Sequence, residues 1–253
     1  MKTRYRNVVA ALAFTLSGAA FAAPITIATD ATFPPFESID ANGKLVGYDV
    51  ELMQAICEEA KLDCNIIAAA WEGMIPGLIA RKYDALISQL TVTEARKKTV
   101  AFSDVYQIPS FRFVARKDAG LTLTPEGLKG KVIAVQTGTP MDAYITKNYT
   151  GSTIKRYSSG SEPYLELRAG RADVHLSYEA QIIHSFTSRD EGKDFELVGP
   201  TLTGKDAPEF GEGVAIAVRK ANTELVGKIN EGLAAVRANG RQAALDAKYF
   251  GAE

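Results

Sequence analysis

Short apolar runs alternate along the chain with longer segments in which apolar residues recur at helical spacing. The runs are typical of buried strands and the longer segments of amphipathic helices. In the first half, the pattern predicts strands at residues 25–29, 65–68 and 84–89 and helices at 48–60 and 74–81, with a hairpin turn at Asn42-Gly43. This alternation predicts an α/β fold with largely parallel sheets.

The alternation continues after a strand predicted at residues 111–116, which we interpret as a crossing into a second unit. That unit has predicted strands at 131–135, 153–157 and 173–176 and predicted helices at 140–147, 163–169 and 180–187. From Phe195 a segment rich in glycine and proline predicts turns, followed by a strand at 214–218 and helices at 223–238 and 241–249. We interpret this as a return crossing, which divides the chain into a first lobe (23–109 and 212–253) and a second lobe (110–211).

The first residues have the pattern of a secretory signal peptide. Lys2, Arg4 and Arg6 precede an apolar run at 8–16, and Ala20-Phe21-Ala22 fits a cleavage site. The apolar run is shorter than the roughly 20 residues that a membrane-spanning helix needs. The sequence therefore predicts a signal peptide over residues 1–22, cleavage near Ala22 and a protein that lies outside the cytoplasm.

Charge and cysteine content limit the possible partners, compartment and cofactors. The net charge is -1 and the charges are interspersed, which argues against a nucleic-acid or membrane-surface partner. The two cysteines, Cys57 and Cys64, predict a disulfide in an oxidising compartment. The two histidines, His175 and His184, match no four-ligand spacing, so neither a metal nor a cofactor is predicted.

Residues 84–106 carry the clearest chemical signal. A buried strand ends in hydroxyl side chains and leads into a helix that Thr91 and Thr93 can cap, with Glu94 in its first turn. The free N–H groups at the start of that helix and the planar fork of Arg96 suit a carboxylate. The alternative interpretation of this segment alone is a capped amphipathic helix with a surface arginine.

Ligands of open α/β sheets bind beyond the carboxyl ends of the strands. Polar and aromatic residues follow the predicted strands of both lobes, and we expect them to converge on one cleft. With Arg96, the candidates are Asp30, Phe33, Trp71, Ser88, Gln89, Leu90, Thr91, Gln136, Thr137, Gly138, Thr139, Met141 and Tyr178.

Several motifs together resemble the polar amino-acid branch of the periplasmic solute-binding proteins of ABC importers, the group that contains the lysine/arginine/ornithine-, histidine- and glutamine-binding proteins. The motifs are ATDATFPPF at 28–36, GKLVGYD at 43–49, WEGMIP at 71–76, the segment 91–104 and KYF at 248–250. The resemblance implies a two-lobed periplasmic binding protein fold with two hinge crossings and a ligand cleft between the lobes. It also implies a monomer that closes on its ligand and docks on an ABC transporter permease in the inner membrane.

The resemblance also implies roles for single residues. Arg96 would bind the ligand α-carboxylate with help from Thr91, and Asp30 would meet the far end of the ligand side chain. Phe33 and Trp71 would sandwich the ligand, since an aromatic face attracts a guanidinium or ammonium. The alternative for the two aromatic residues is core packing, and for Asp30 a turn cap.

One departure from the family pattern concerns Tyr178, where the family commonly has an aspartate that holds the α-ammonium. Either Glu179 replaces it, or neutral acceptors bind the amine, or the ligand amine is substituted as in an opine. The expected function is the capture of a cationic amino acid of the arginine, ornithine, lysine or histidine type. The alternatives are an opine binder and a periplasmic enzyme like the cyclohexadienyl dehydratases, although no catalytic residues are predicted.

Overall fold

The structure is a computed structural model and describes residues 23–251. The predicted signal peptide, residues 1–22, lies outside the described residues.

The strands and helices of the described chain follow the predicted alternation. The strands are β1 (Ile25–Thr29), β2 (Thr32–Phe33), β3 (Glu37–Ile39), β4 (Leu45–Val46), β5 (Cys64–Ala68), β6 (Ala85–Leu86), β7 (Val100–Phe102), β8 (Phe111–Arg116), β9 (Val132–Gln136), β10 (Thr153–Tyr157), β11 (Val174–Tyr178), β12 (Phe195–Leu202) and β13 (Ala217–Arg219). The helices are α1 (Tyr48–Glu59), α2 (Met74–Ile79), α3 (Glu94–Lys97), α4 (Pro140–Asn148), α5 (Glu162–Arg168), α6 (Glu179–Ile182), α7 (Thr223–Ala238) and α8 (Arg241–Phe250).

Lobe 1 is built on a sheet with the strand order β5-β1-β6-β13-β7, in which β13 runs antiparallel to both of its neighbours. Helices α1 and α7 pack together over one face, where Leu52 and Ile229 are fully buried. The short helix α2 covers the other face with Met74 and Leu78. Burial on both faces explains why the run that forms β6 and continues to Ile87 is apolar without polar alternation.

Lobe 2 repeats this plan with the strand order β10-β9-β11-β8-β12, in which β8 runs antiparallel to β11 and β12. The chain passes from lobe 1 to lobe 2 between β7 and β8 and returns between β12 and β13. The two-lobed α/β fold with two crossings is therefore confirmed. The exact lobe bounds at 109/110 and 211/212 stay a prediction.

The segment from Phe195 to Gly213 was expected to form turns, and this expectation is wrong for its first part. Residues 195–202 form β12, which pairs with β8 at the edge of the lobe 2 sheet. The register shifts between Val198 and Leu202, around Gly199 and Pro200. Glycine and proline are tolerated in an edge strand with a bulge because one side of the strand needs no ladder hydrogen bonds.

The strand predicted at 84–89 is shorter than expected, since β6 ends at Leu86. The chain turns out of the sheet at Gln89, whose φ of 43° is left-handed. The helix that follows, α3, is a single turn capped by Thr93, whose hydroxyl accepts from the Arg96 N–H at 3.3 Å. Thr91 does not cap it, because its hydroxyl lies 2.8 Å from that of Tyr178.

The predicted disulfide is confirmed. Cys57 and Cys64 are bonded across a Cα–Cα distance of 6.3 Å and join the last turn of α1 to the first residue of β5. The bridge pins one helix to its neighbouring strand within lobe 1.

Candidate functional site

A small cavity lies between the two lobes, at the carboxyl ends of the strands. Its volume is about 10 Å³, the space of about one water molecule. An amino acid can enter it only after the lobes separate. The cavity is lined by Asp30, Phe33, Glu37, Trp71, Ser88, Gln89, Gln136, Thr139, Pro140, Met141 and Tyr178.

Nine of the predicted site residues thus come together at this cavity. The other five lie just outside its lining. Leu90 packs its side chain into the lobe 1 core beside Met74 and Leu78. The remaining four contribute hydrogen bonds across the cleft and are Thr91, Arg96, Thr137 and Gly138.

Asp30 follows β1 and is buried in the wall of lobe 1. Its carboxylate accepts from Thr32 Oγ1 at 3.0 Å and from Gln136 Nε2 of lobe 2 at 3.2 Å. Burial raises the pKa of Asp30, while these hydrogen bonds lower it. The backbone N–H of Asp30 donates to Ser88 Oγ at 2.9 Å, which fixes the end of β1 to the segment after β6.

The two aromatic residues predicted for the site, Phe33 and Trp71, contact lobe 2 in different ways. Phe33 packs edge-on against Tyr178, with ring centroids 5.4 Å apart. Trp71 donates its indole N–H to Thr137 O at 2.9 Å. Phe33 also belongs to the main apolar cluster, so it combines core packing with a place in the cavity wall.

Arg96 is half-buried at the boundary between the lobes. Its guanidinium donates to Thr91 O at 2.9 Å and to Gly138 O of lobe 2 at 3.3 Å, and its central carbon lies 5.4 Å from the Trp71 ring centroid. Burial lowers the pKa of Arg96 to about 10, so the side chain remains charged at neutral pH. Because α3 has only four residues, the positive charge here comes from the guanidinium and hardly from a helix dipole.

Tyr178 ends β11 and reaches from lobe 2 into lobe 1. Its hydroxyl donates to Gln89 O at 2.8 Å and lies 2.8 Å from Thr91 Oγ1. Its neighbour Glu179 turns away from the cavity and accepts from Ser110 Oγ at 2.8 Å. The structure therefore argues against Glu179 as the replacement for an acid at position 178.

The segment 136–141, from the end of β9 to the start of α4, supplies most of the lobe 2 wall. Thr139 caps α4 by accepting from Asp142 N at 3.2 Å, and it donates to Gln136 O at 2.8 Å. These bonds hold Gln136 where it reaches Asp30. Pro140 and Met141 add an apolar surface that faces the cavity.

Two acidic residues of the site were missed by the sequence analysis. Glu37 lines the cavity and accepts from Ser88 Oγ at 2.9 Å, and Asp49 accepts from Gln89 N at 2.7 Å behind it. A signal was available, because Glu37 directly follows the motif at 28–36 and Asp49 closes the motif at 43–49. Both are fully buried, which is rare for acidic residues without a partner of opposite charge.

Two negative observations apply to residues 23–251. No helix there is long and apolar enough to cross a membrane. No group of three or more histidine, cysteine or acidic side chains in that part of the chain is arranged to hold a metal ion.

Comparison with known proteins gives consistent results. The sequence model of one protein family, the bacterial extracellular solute-binding proteins, family 3, matches residues 25–252. The L-arginine-binding protein of Pseudomonas aeruginosa is 40% identical over 90% of this chain and 88% of its own, and the histidine-binding periplasmic protein of Escherichia coli K12 is 34% identical over 99% and 97%. The structure of an ancestral arginine-binding protein bound to arginine matches with a TM-score of 0.83 and 33% identity, over 90% of this chain and 98% of that one.

Proposed function

Because the chain belongs to family 3 of the bacterial extracellular solute-binding proteins, we propose that it captures a cationic amino acid, arginine foremost, in the periplasm and delivers it to an ABC importer. The observation that carries the proposal is the charge distribution of the cleft. A guanidinium, that of Arg96, lies at its boundary, and the carboxyl groups of Asp30 and Glu37 lie in its wall. A ligand with one acidic end and one basic end matches this arrangement.

Arg96 would bind the ligand carboxylate once the lobes separate. In the closed form its N–H groups are bonded to backbone oxygens of Thr91 and Gly138. A carboxylate is a stronger acceptor than a backbone carbonyl because the hydrogen bonds are charge-assisted at both ends. The incoming ligand would therefore replace the Gly138 oxygen as a partner and join the lobes in its place.

The basic end of the ligand would lie against Asp30 and Glu37, with Phe33 and Trp71 on either side. An aromatic face attracts a guanidinium by about 0.5 to 2 kcal/mol, depending on desolvation. The named relatives support a basic ligand, since one is an L-arginine-binding and the other a histidine-binding protein.

Both relatives are binding proteins, and the proposal involves no chemical step. The periplasmic location is part of the proposal, and it is supported by the histidine-binding periplasmic protein among the relatives and by the predicted signal peptide at 1–22. Docking on a permease and a monomeric state belong to this proposal as well.

Titration calorimetry with a panel of amino acids tests the proposal. We expect arginine, ornithine, lysine or histidine to bind more tightly than glutamine, octopine, nopaline or N-acetylarginine. Arg96→Ala should weaken the binding of every ligand roughly 10- to 150-fold, because it removes the charge-assisted hydrogen bond to the ligand carboxylate, which contributes about 1.5 to 3 kcal/mol.

Arg116→Ala is the matched control, since Arg116 is an exposed arginine on β8 that pairs with Asp118 at 3.1 Å. It should leave the affinity unchanged. Wild-type affinity in the Arg96→Ala variant would refute the assigned role of the cleft, and turnover of prephenate or arogenate would favour an enzyme.

A further inference from the structure

Glu37 is the one acidic residue of the cavity wall with an oxygen that no donor reaches in the described chain. Its Oε1 accepts from Ser88 Oγ at 2.9 Å, whereas its buried Oε2 has no hydrogen-bond partner. The side chain is 1% exposed and lines the cavity. A buried carboxylate oxygen without a donor is costly, so the group calls for a proton or for a cation.

Behind Glu37 lies Asp49, which is 0% exposed. Its carboxylate accepts from Gln89 N at 2.7 Å, from Gln89 Nε2 at 2.9 Å and from Tyr106 Oη at 2.8 Å. Three donors stabilise the ionised form of a carboxyl group. Asp49 is therefore the charged member of the pair.

Glu37 accepts a hydrogen bond from Ser88 and Asp49 accepts one from the next residue, Gln89, so the two carboxyl groups are buried neighbours. Two neighbouring buried carboxyl groups repel each other when both are ionised, so one of them carries a proton. Since Asp49 already accepts three hydrogen bonds, that proton belongs to Glu37. Burial, followed by the charge of Asp49, raises the pKa of Glu37 well above its usual value, and burial raises the pKa of Asp49 to about 6.

Among residues 23–251, no cation compensates the charge of this pair. The groups facing the pair are Asp30, which adds negative charge, and the phenols of Tyr48, Tyr106 and Tyr178. Arg96 interacts with Tyr178, and neither Glu37 nor Asp49 forms a salt bridge within residues 23–251. The positive charge that would ionise Glu37 has to come from outside the protein.

We propose that Glu37 exchanges its proton for the cationic side chain of the ligand. In the empty cleft Glu37 is a neutral acid beside the charged Asp49. When the guanidinium or ammonium of the ligand enters, Glu37 ionises, forms a salt bridge with it and releases its proton to the solvent. One proton leaves for each ligand cation that arrives, so the total charge of the cleft does not change.

This inference rests on the proposed function and makes Glu37 a determinant of specificity. A neutral side chain such as that of glutamine cannot replace the proton and gains no ion pair with Glu37. It also makes affinity for cationic ligands rise with pH, by up to about tenfold per pH unit for one released proton.

Calorimetry of arginine binding at pH 7 in buffers of different ionisation enthalpy measures the released protons. We expect about one proton per arginine for the wild type and none for glutamine. Glu37→Gln, which imitates the protonated acid, should release none, and its affinity for arginine should be lower and independent of pH between about 6.5 and 7.5.

Glu179→Gln is the matched control, because Glu179 is an acid outside the cavity, and it should release as many protons as the wild type. Carbon-13 NMR of the ligand-free protein gives a second measurement that needs no variant, and Glu37 should be protonated at pH 7. Arginine binding without proton release, or an ionised Glu37 in the empty protein, overturns this inference alone. If no cationic amino acid binds, the proposed function falls as well.

Discussion

Gln89 occupies a left-handed backbone conformation, with φ of 43°, although it is not a glycine. Such a conformation costs about 1 to 3 kcal/mol unless neighbouring groups stabilise it. Asp49 does so by accepting both from the backbone N–H and from the side-chain amide of Gln89. The distorted residue directs its carbonyl towards Tyr178 of the other lobe, so strain at one residue supports the contact between the lobes.

At the same scale, His175 should make stability depend on pH. Its Nδ1 contacts Ala134 O at 2.8 Å, its Nε2 has no partner, and burial lowers the pKa of His175 to about 4. Between pH 6.5 and 4 the unfolded chain therefore binds a proton that the folded chain does not, and the contribution of His175 to stability falls as the pH falls.

We expect the destabilisation caused by His175→Gln to shrink by about 2 to 3 kcal/mol between pH 7.5 and pH 4.5. Urea denaturation at both pH values measures it. His184→Gln, at the exposed second histidine, should show the same free-energy change at both. A pH-independent effect of His175→Gln would mean that the buried ring titrates as it does in the unfolded chain.

At the scale of elements, the disulfide links α1 to β5 within lobe 1, away from the cavity lining. Closing so short a loop stabilises the fold by about 2.5 kcal/mol in the chain-entropy model. The double variant Cys57→Ser/Cys64→Ser should lose roughly this free energy of unfolding, and its Tm should fall by about 5 to 10 °C.

The affinity of the double cysteine variant for arginine should stay within about twofold of the wild-type value, because neither cysteine lines the cavity. Differential scanning calorimetry measures the Tm, and titration calorimetry measures the affinity. A large loss of affinity with little loss of stability would show that the bridge shapes the cleft.

The bounds of several long elements could be predicted from sequence, whereas four of the shortest strands were not recognised. β1, β8, β10 and α7 have the predicted bounds because each is a run with one clear period. The strands β2, β3, β4 and β7 have two or three residues each, too few to show alternation, and they form through pairing with distant strands or neighbouring hairpins.

The site was predictable to a similar degree. Asp30, Trp71 and Tyr178 follow or end strands and could be recognised from that position. Glu37 lacks this positional signal, because it enters the cavity through the small sheet of β2, β3 and β4, and its hydrogen bond to Ser88 spans 51 residues of sequence. Only its place next to the motif at 28–36 pointed to it.

At the scale of the whole molecule, closure depends on a glycine at the point where the lobes meet. A Cβ atom at Gly160 of lobe 2 would lie 2.5 Å from Phe33 Cδ2 and 3.3 Å from Thr32 O of lobe 1. Gly160→Ala should therefore disfavour the closed form by about 1 to 3 kcal/mol and weaken arginine binding by roughly 5- to 150-fold, with little effect on either lobe alone.

Small-angle scattering should show compaction with arginine for the wild type and less compaction for Gly160→Ala. Gly227→Ala is the control, since nothing lies within 4 Å of a Cβ at that position in α7. If the Gly160→Ala variant closes and binds like the wild type, the lobes do not need this close contact.

The chain contains a single tryptophan, and its indole N–H bridges the lobes to Thr137 O at 2.9 Å. Separation of the lobes would break that bond and expose the ring to water, which shifts indole emission to longer wavelength. The unlabelled protein thus carries its own fluorescent reporter. Tryptophan emission recorded after rapid mixing with ligand would follow the opening and closing of the lobes in real time.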